Sequence, residues 1–366
     1  MSTHRSTTVL IVALLHLVAG ENRAASIVPM AQTNWLVHLT NGSRMTGTIP
    51  ASALTVRTDA GELAIAWTRI FRVDMDGSQA AVALLNGDLL RGIPNSSNLV
   101  LQAAGKDIVV PFTTLTRLES DESTNSLGMR FRPVLGTEVL FSIWQTRRKD
   151  YAAFAQANPE VDPSWQNPVF QGVALPLDEN GPVVCVSWSE ARAFCEWLTK
   201  KEQAEGRLRQ GLAYRLPSDL EWSAAVGLTG EVGKTPEARN GQVRGLYPWG
   251  KEWPPPANVG NYSDLTARAH SATAPIIDGY QDGFAMTSPV GSFAANLYGL
   301  FDLGSNVWEW CDDVFAPGNL ERVSRGAAWT GIDPSVLLSS FRRGLLPEDH
   351  YLRGGFRCVL AGASPP

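Results

Sequence analysis

Residues 282–310 read DGFAMTSPVGSFAANLYGLFDLGSNVWEW, and this stretch decides the fold. Glycine, proline and aromatic residues recur in it without the spacing of a helix or the alternation of a strand. The stretch therefore predicts long loops packed around aromatic residues. The same mixture extends on both sides of it, from about residue 125 to residue 360, and short strand-like runs and two helices interrupt it.

The helices are predicted from apolar spacing. The first should cover residues 146–156, and the second residues 187–201, with a serine at its start as the cap. A third, shorter helix is predicted in RLPSDLEW, residues 215–222. There Ser218 stands three residues before Glu221, which is the spacing of a capping box.

Nine motifs follow one another along this part of the chain. In order they are NSLGMRFRPV, SIWQTRRKDYAAF, PVVCVSWSEARAFCEWL, YRLPSDLEWSAAV, YPWG, NVGNY, the stretch quoted above, RVSRGAAW and GGFRCVL. In this order they resemble the formylglycine-generating enzyme (sulfatase-modifying factor) family. The resemblance implies a family domain over residues 125–361. It also implies that family's α+β fold, a loop-rich variant of the C-type lectin-like fold.

The resemblance fails at the catalytic residues. Active members of the family oxidise a substrate cysteine to formylglycine with copper held by two cysteines, and soft Cu(I) requires thiolates. Those positions correspond to Gly331 and Val336, and no cysteine occurs between Arg322 and Arg357. We therefore expect no catalytic residue and no copper.

Other catalytic chemistries find no better support. An iron site would need clustered histidines, whereas His38, His270 and His350 are scattered along the chain. Ser335, Ser339 and Ser340 lie near the positions of the missing cysteines, but they have no flanking nucleophile motif and no placed histidine.

A ligand-binding groove is expected where the family builds its substrate groove. The candidate groove residues are Trp329, Phe341, Arg342, Arg343 and Arg353. Either of the adjacent arginines could hold a carboxylate or phosphate through paired hydrogen bonds. The alternative is that each arginine pairs with a nearby Asp or Glu and has a structural role.

The resemblance also implies two structural calcium sites, built from the oxygen ligands that this hard cation prefers. The first would use Asn258, the Val259 carbonyl, Asp282 and the Phe284 carbonyl. The second would use Asp302, the Ser305 and Val307 carbonyls, and Glu309. The alternative is that hydrogen bonds alone hold these loops, with the carboxylates accepting backbone N–H groups.

Four cysteines, an even number, permit two disulfides in an oxidising compartment. The resemblance implies that Cys195 bonds to Cys358, as in some members of the family. Cys185 and Cys311 are either buried free thiols or a second bridge.

The N-terminal third differs in character. Residues 1–26 combine a weakly basic start, an apolar run of about a dozen residues and a small-residue exit, which predicts a cleaved signal peptide and export to the periplasm or outside the cell. Residues 35–119 contain two similar copies offset by about 45 residues, each with alternating apolar residues and Asn-Gly turns. They predict a duplicated all-β domain, followed by a polar linker over residues 120–128.

Composition narrows the classes of partner. The net charge of −5 and the lack of a lysine or arginine block argue against nucleic acid. No segment after the signal is apolar for the roughly 20 residues that span a bilayer. The leading hypothesis is an exported, non-catalytic binding or scaffold protein with a peptide, protein or glycan ligand. The alternatives are a formylglycine-generating or other metal-dependent oxidase, and an envelope component that assembles through its β domain.

Overall fold

The computed structural model describes residues 34–84, 88–120 and 123–362. The predicted signal peptide over residues 1–26 lies outside these ranges. The protein is rich in strands and poor in helix, with 16% of residues helical. None of the helices in the described ranges has the length and apolar character needed to cross a membrane.

Ten strands before residue 121 form one sheet. They are β1 Asn34–Leu39, β2 Arg44–Thr48, β3 Ala53–Thr58, β4 Gly61–Ala66, β5 Ile70–Asp76, β6 Gln79–Leu84, β7 Leu89–Pro94, β8 Asn98–Ala103, β9 Lys106–Pro111 and β10 Leu115–Ser120. The strands of the first copy, β1 to β5, recur as β6 to β10 with each start 45 residues later. The order across the sheet is β4-β3-β7-β6-β5-β10-β1-β2-β8-β9.

The two copies exchange hairpins. The β3–β4 hairpin of the first copy pairs with β7 of the second, and the β8–β9 hairpin pairs with β2 of the first. Gly47 and Gly92 stand at these crossings, where a Cβ would lie 2.4 Å from the Gln102 carbonyl oxygen and 2.6 Å from that of Arg57. Only glycine permits so close a backbone approach.

Both copies bury equivalent residues in one core. Leu54 and Leu99 are both buried, as are Trp67 and Phe112 at equivalent places after β4 and β9. Period-two alternation on the strands points these side chains to one face. The duplicated copies therefore share a single hydrophobic core.

The rest of the chain contains short strands and four helices. The strands are β11 Ser123–Thr124, β12 Arg130–Pro133, β13 Leu140–Ser142, β14 Val169–Phe170, β15 Val173–Ala174, β16 Leu212–Arg215, β17 Trp308–Val314, β18 Arg322–Arg325, β19 Arg342–Leu345, β20 Gly354–Gly355 and β21 Val359–Gly362. The helices are α1 Arg148–Ala157, α2 Trp188–Ala204, α3 Asp219–Ala225 and α4 Pro236–Arg239. The larger sheets have the orders β11-β12-β13-β21-β16 and β19-β18-β17-β20.

The structure confirms the predicted helices and their caps. Ser187 caps α2, and its hydroxyl accepts a hydrogen bond from the Glu190 backbone N–H. Ser218 and Glu221 form the predicted capping box on α3. The predicted linker contains a short strand, because β11 pairs with β12 in the second region.

Candidate functional site

The 326–341 loop, which joins β18 to β19, contains the positions of the two missing cysteines. Its ends are fixed as a strand pair, because Arg325 of β18 lies directly opposite Arg342 of β19. The loop packs on a core that includes Tyr262, Trp308 and Trp329. The site is therefore a loop with anchored ends on a small antiparallel sheet.

One carboxylate holds both ends of this loop. Asp219, the first residue of α3, is fully buried and accepts hydrogen bonds from the guanidinium groups of Arg325, Arg342 and Arg239. Burial by itself would raise the pKa of Asp219, but the charges of Arg325 and Arg342 outweigh it and hold that pKa below its ordinary value. A second carboxylate, Glu231, lies 2.6 Å from Arg342 Nη1.

The structure removes two residues from the predicted groove. The Arg342 side chain is fully buried in the ion-pair cluster with Asp219 and Glu231, so it faces no ligand. Arg342 therefore has a structural role, which was the alternative to ligand binding, because Asp219 of α3 supplies a neighbouring carboxylate. Trp329 is only 2% exposed and lies in the core beneath the loop, with its ring 6.2 Å from that of Phe170.

The place of the first missing cysteine is filled. A Cβ added at Gly331 would lie 2.8 Å from Leu337 Cδ2 and 3.0 Å from the Ala328 carbonyl oxygen. Leu337 itself is 1% exposed, whereas Val336 at the second position is partly buried. An apolar side chain thus occupies the space that a side chain at position 331 would need.

An open depression lies beside the loop, with a volume of about 500 Å³. Pro334, Ser335 and Phe341 of the loop form one wall, and residues 240–247 form the other. The predicted groove residue Phe341 therefore lines a real concavity. In the same wall, the Ser335 hydroxyl donates a hydrogen bond to Asp333 Oδ1 of the loop at 2.8 Å.

The other two predicted arginines each lie against the ring of Tyr351. The guanidinium carbons of Arg343 and Arg353 each lie 5.0 Å from the centre of the Tyr351 ring. Arg343 Nη1 donates to Tyr351 Oη at 2.9 Å, and Arg353 Nη1 donates to Thr330 Oγ1 at 2.9 Å. Both side chains are partly exposed, and within the described ranges neither forms an ion pair with a carboxylate. We call Arg343, Tyr351 and Arg353 the arginine–tyrosine cluster.

At the first predicted calcium site, the carboxylate accepts backbone N–H groups, as the alternative of a loop held by hydrogen bonds alone would have it. Asp282 is partly buried, and its two carboxylate oxygens accept the backbone N–H groups of Tyr262 and Phe284 at 2.8 Å. Burial, and then the charge of Asp264, raises the pKa of Asp282 to about 7. The Asn258 side chain and the Val259 and Phe284 carbonyls accept no protein hydrogen bond within the described part of the chain.

At the second predicted calcium site, protein donors contact the predicted ligand oxygens. Glu309 is fully buried and forms a two-point ion pair with Arg357, at 2.7 and 2.8 Å. Burial raises the pKa of Asp302 to about 6. In addition, the Gln145 side-chain amide projects among the oxygens that would bind the ion.

The cysteines lie away from the loop positions. Cys195 Sγ and Cys358 Sγ are 3.5 Å apart in the core beneath α2, so the structure brings the predicted pair together without a bond. Burial raises the pKa of Cys185 to about 11 and raises that of Cys311 as well. Within residues 34–84, 88–120 and 123–362, no three side chains of His, Cys, Asp or Glu form a metal-binding group.

Comparisons with known proteins identify the family of the second region. The profile of the family described as "Sulfatase-modifying factor enzyme 1-like domain" matches residues 140–361, which is more than half of the chain. The chain belongs to this family.

Its relatives include both inactive and active members. It is 32% identical over 208 residues to the "Inactive C-alpha-formylglycine-generating enzyme 2" of Bos taurus, a match that covers 55% of this chain and 58% of that one. It is 34% identical over 149 residues to the "Formylglycine-generating enzyme" of Thermomonospora curvata, covering 41% and 39%. The matches thus span less than two thirds of either relative. Among solved structures, PvdO from Pseudomonas aeruginosa is similar over 70% of this chain and 84% of its own, with 20% identity and a TM-score of 0.43.

Proposed function

We propose that this chain is an exported, non-catalytic member of its family that binds an acidic ligand on a loop-rich, C-type lectin-like domain. The observation that supports it best is at position 331, where a glycine stands in place of the copper-binding cysteine and an added Cβ would lie 2.8 Å from Leu337 Cδ2. Together with the lack of any cysteine in the 326–341 loop, this leaves the site without soft ligands. The relatives from Bos taurus and Mus musculus both carry names that describe them as inactive, which supports a non-catalytic role for this chain.

The remaining thiols offer no substitute. Cys195 and Cys358 are close enough to share an ion, but both are buried at 1% and 0% exposure. Burial, and then the neighbouring thiol, raises the pKa of Cys195 well above its usual range, so the thiolate that copper needs is disfavoured.

The arginine–tyrosine cluster gives the ligand its chemistry. Arg343 and Arg353 each use one N–H group on a protein oxygen and keep the other guanidinium donors unpaired within the described residues. Two guanidinium groups beside the Tyr351 ring suit a carboxylate, sulfate or phosphate group, because these anions accept paired charge-assisted hydrogen bonds. Arg353 also contacts Thr330, so the ligand would lie against the 326–341 loop.

The experiment measures binding of polyglutamate and of sulfated dextran to the purified protein by calorimetry. Arg343→Gln and Arg353→Gln should each weaken binding about tenfold, since a hydrogen bond to a charged group contributes about 1.5–3 kcal/mol. The control is Arg207→Gln, whose side chain is 60% exposed and lies at the end of α2. Equal binding by all four proteins, or none by the unmodified protein, would contradict the proposed ligand class.

Calcium and export complete the proposal. The unpaired oxygens around Asp282 support one structural calcium ion at the first predicted site.

The pattern over residues 1–26 supports export, and N-terminal sequencing of the protein recovered from its host tests it. A mature N-terminus between residues 20 and 27 is expected, and an intact Met1 would contradict cleavage.

A further inference from the structure

The second predicted calcium site already contains a protein nitrogen at the position of the ion. Gln145 Nε2 lies 3.0 Å from the Ser305 carbonyl oxygen, 3.1 Å from that of Val307 and 3.0 Å from Glu309 Oε1. The Asp302 carbonyl oxygen is 3.4 Å away. We call these four oxygens the oxygen cage. They include an oxygen from every residue that was predicted to bind the second ion.

The orientation of the amide is fixed from its other side. Gln145 Oε1 accepts a hydrogen bond from Asn306 Nδ2 at 3.2 Å, so the carbonyl points away from the oxygen cage. Asn306 is itself held, because its Oδ1 accepts from Asn261 Nδ2 and from the Ser288 backbone N–H, both at 3.0 Å. A flipped amide would place an oxygen against four oxygens and is therefore disfavoured.

The charge of Glu309 is also paired without an ion. Both oxygens of Glu309 accept from Arg357, and Oε2 accepts from Trp222 Nε1 at 2.9 Å as well. With this many donors, Glu309 needs no further cation. Asp302 Oδ2 accepts from the Gly291 backbone N–H at 2.7 Å, whereas its buried Oδ1 has no hydrogen-bond partner among the described residues.

The amide and a calcium ion cannot share this space. Calcium requires its oxygens at about 2.3–2.6 Å, which is the volume inside the cage that the amide nitrogen occupies. At the first predicted site, the Asn258 side-chain oxygen and the Val259 and Phe284 carbonyl oxygens accept no protein hydrogen bond in the described residues.

We propose that the side-chain amide of Gln145 replaces the cation of the second site, so that the chain binds calcium only at the first site. The amide donates to the oxygens that an ion would otherwise gather, and it links the segment between β13 and α1 to residues 302–309. The core beneath β17 is therefore assembled independently of calcium. This inference rests on the proposed function only in one respect: the expected number of ions assumes that the first site binds calcium.

The test counts calcium ions on the full chain by native mass spectrometry after chelation and titration with Ca²⁺. We expect one ion on the unmodified protein and none on Asp282→Asn. Gln145→Glu should gain one ion, because it places a second carboxylate against Glu309 and three carbonyls. The matched control is Gln203→Glu, a partly exposed glutamine that also donates to a backbone carbonyl, that of Leu212, at 3.1 Å. It should bind the same number of ions as the unmodified protein.

The outcomes separate the two ideas. Two ions on the unmodified protein, or one ion that survives Asp282→Asn, would overturn the role of Gln145. No ion on the unmodified protein, with one gained by Gln145→Glu, would refute calcium at the first site and support the replacement. If Gln145→Glu does not fold without calcium, addition of Ca²⁺ during refolding should restore its native circular dichroism. Failure to respond would count against the replacement.

Discussion

Removal of the Asp219 charge should destabilise the protein through the ends of the 326–341 loop. The substitution Asp219→Asn keeps the shape of the side chain but removes the carboxylate that Arg325, Arg342 and Arg239 share, and Glu231 pairs with Arg342 alone among the three. Arg325 and Arg342 have fully buried side chains, so water cannot solvate the unpaired charge. Loss of one partner from a buried ion pair costs about 3–5 kcal/mol. For a unit of this size that corresponds to a fall in Tm of roughly 10 °C.

The assay is urea and thermal unfolding followed by tryptophan fluorescence. The control is Glu179→Gln, whose side chain is 73% exposed and lies 3.9 Å from Lys149, a pair expected to contribute less than about 1 kcal/mol. A loss below about 1 kcal/mol for Asp219→Asn would refute the view that this carboxylate fixes the loop.

The pH dependence of the same variant gives a second readout. Because the pKa of Asp219 is lower in the folded protein, its stabilisation is complete above the ordinary carboxyl pKa and is lost as pH falls through the folded value. The difference between the unmodified protein and Asp219→Asn should therefore stay constant from pH 8 to about pH 5 and shrink only below about pH 4.

Three further substitutions or treatments test other parts of the structure. Leu337→Ala should cost about 2–5 kcal/mol in urea unfolding, because it empties a buried site, and a change under 1 kcal/mol would mean that the loop is loosely packed. Ser187→Ala should cost about 1 kcal/mol by removing the cap of α2, and its control is Ser78→Ala, at an exposed serine in the turn between β5 and β6. Cys185 should resist iodoacetamide at pH 8 in the folded protein, since its pKa is about 11, and peptide mapping that finds it labelled as fast as in denaturant would contradict its burial.

Local signals in the sequence were enough for the helices, the caps and the repeat. Ser218 and Glu221 stand at the spacing of a capping box, and the structure has that box. The equivalence of Gly47 and Gly92 was visible as a repeat. The exchange of hairpins between the copies was not, because strand order depends on contacts between residues distant in sequence.

The site was harder to predict, since its key contacts are also distant along the chain. Asp219 meets Arg342 across 123 residues, and Gln145 meets Glu309 across 164. Nothing near Asp219 in the sequence marks it as the partner of three arginines, although its place after a cap was clear. Gln145 lies within the motif SIWQTRRKDYAAF, but no residue close to it in the sequence indicates its role. The absence of the two cysteines, in contrast, is evident from the sequence, because it depends only on the residue type at two positions.

The most direct test of the central claim is an assay of formylglycine formation. The purified protein is incubated with a peptide that contains the Cys-x-Pro-x-Arg sulfatase motif, Cu(I), oxygen and a thiol reductant, and peptide mass is followed beside the enzyme from Thermomonospora curvata. We predict no mass change with this protein while the reference enzyme converts the peptide. Conversion by this protein would contradict the non-catalytic account and would require a copper site elsewhere than the 326–341 loop.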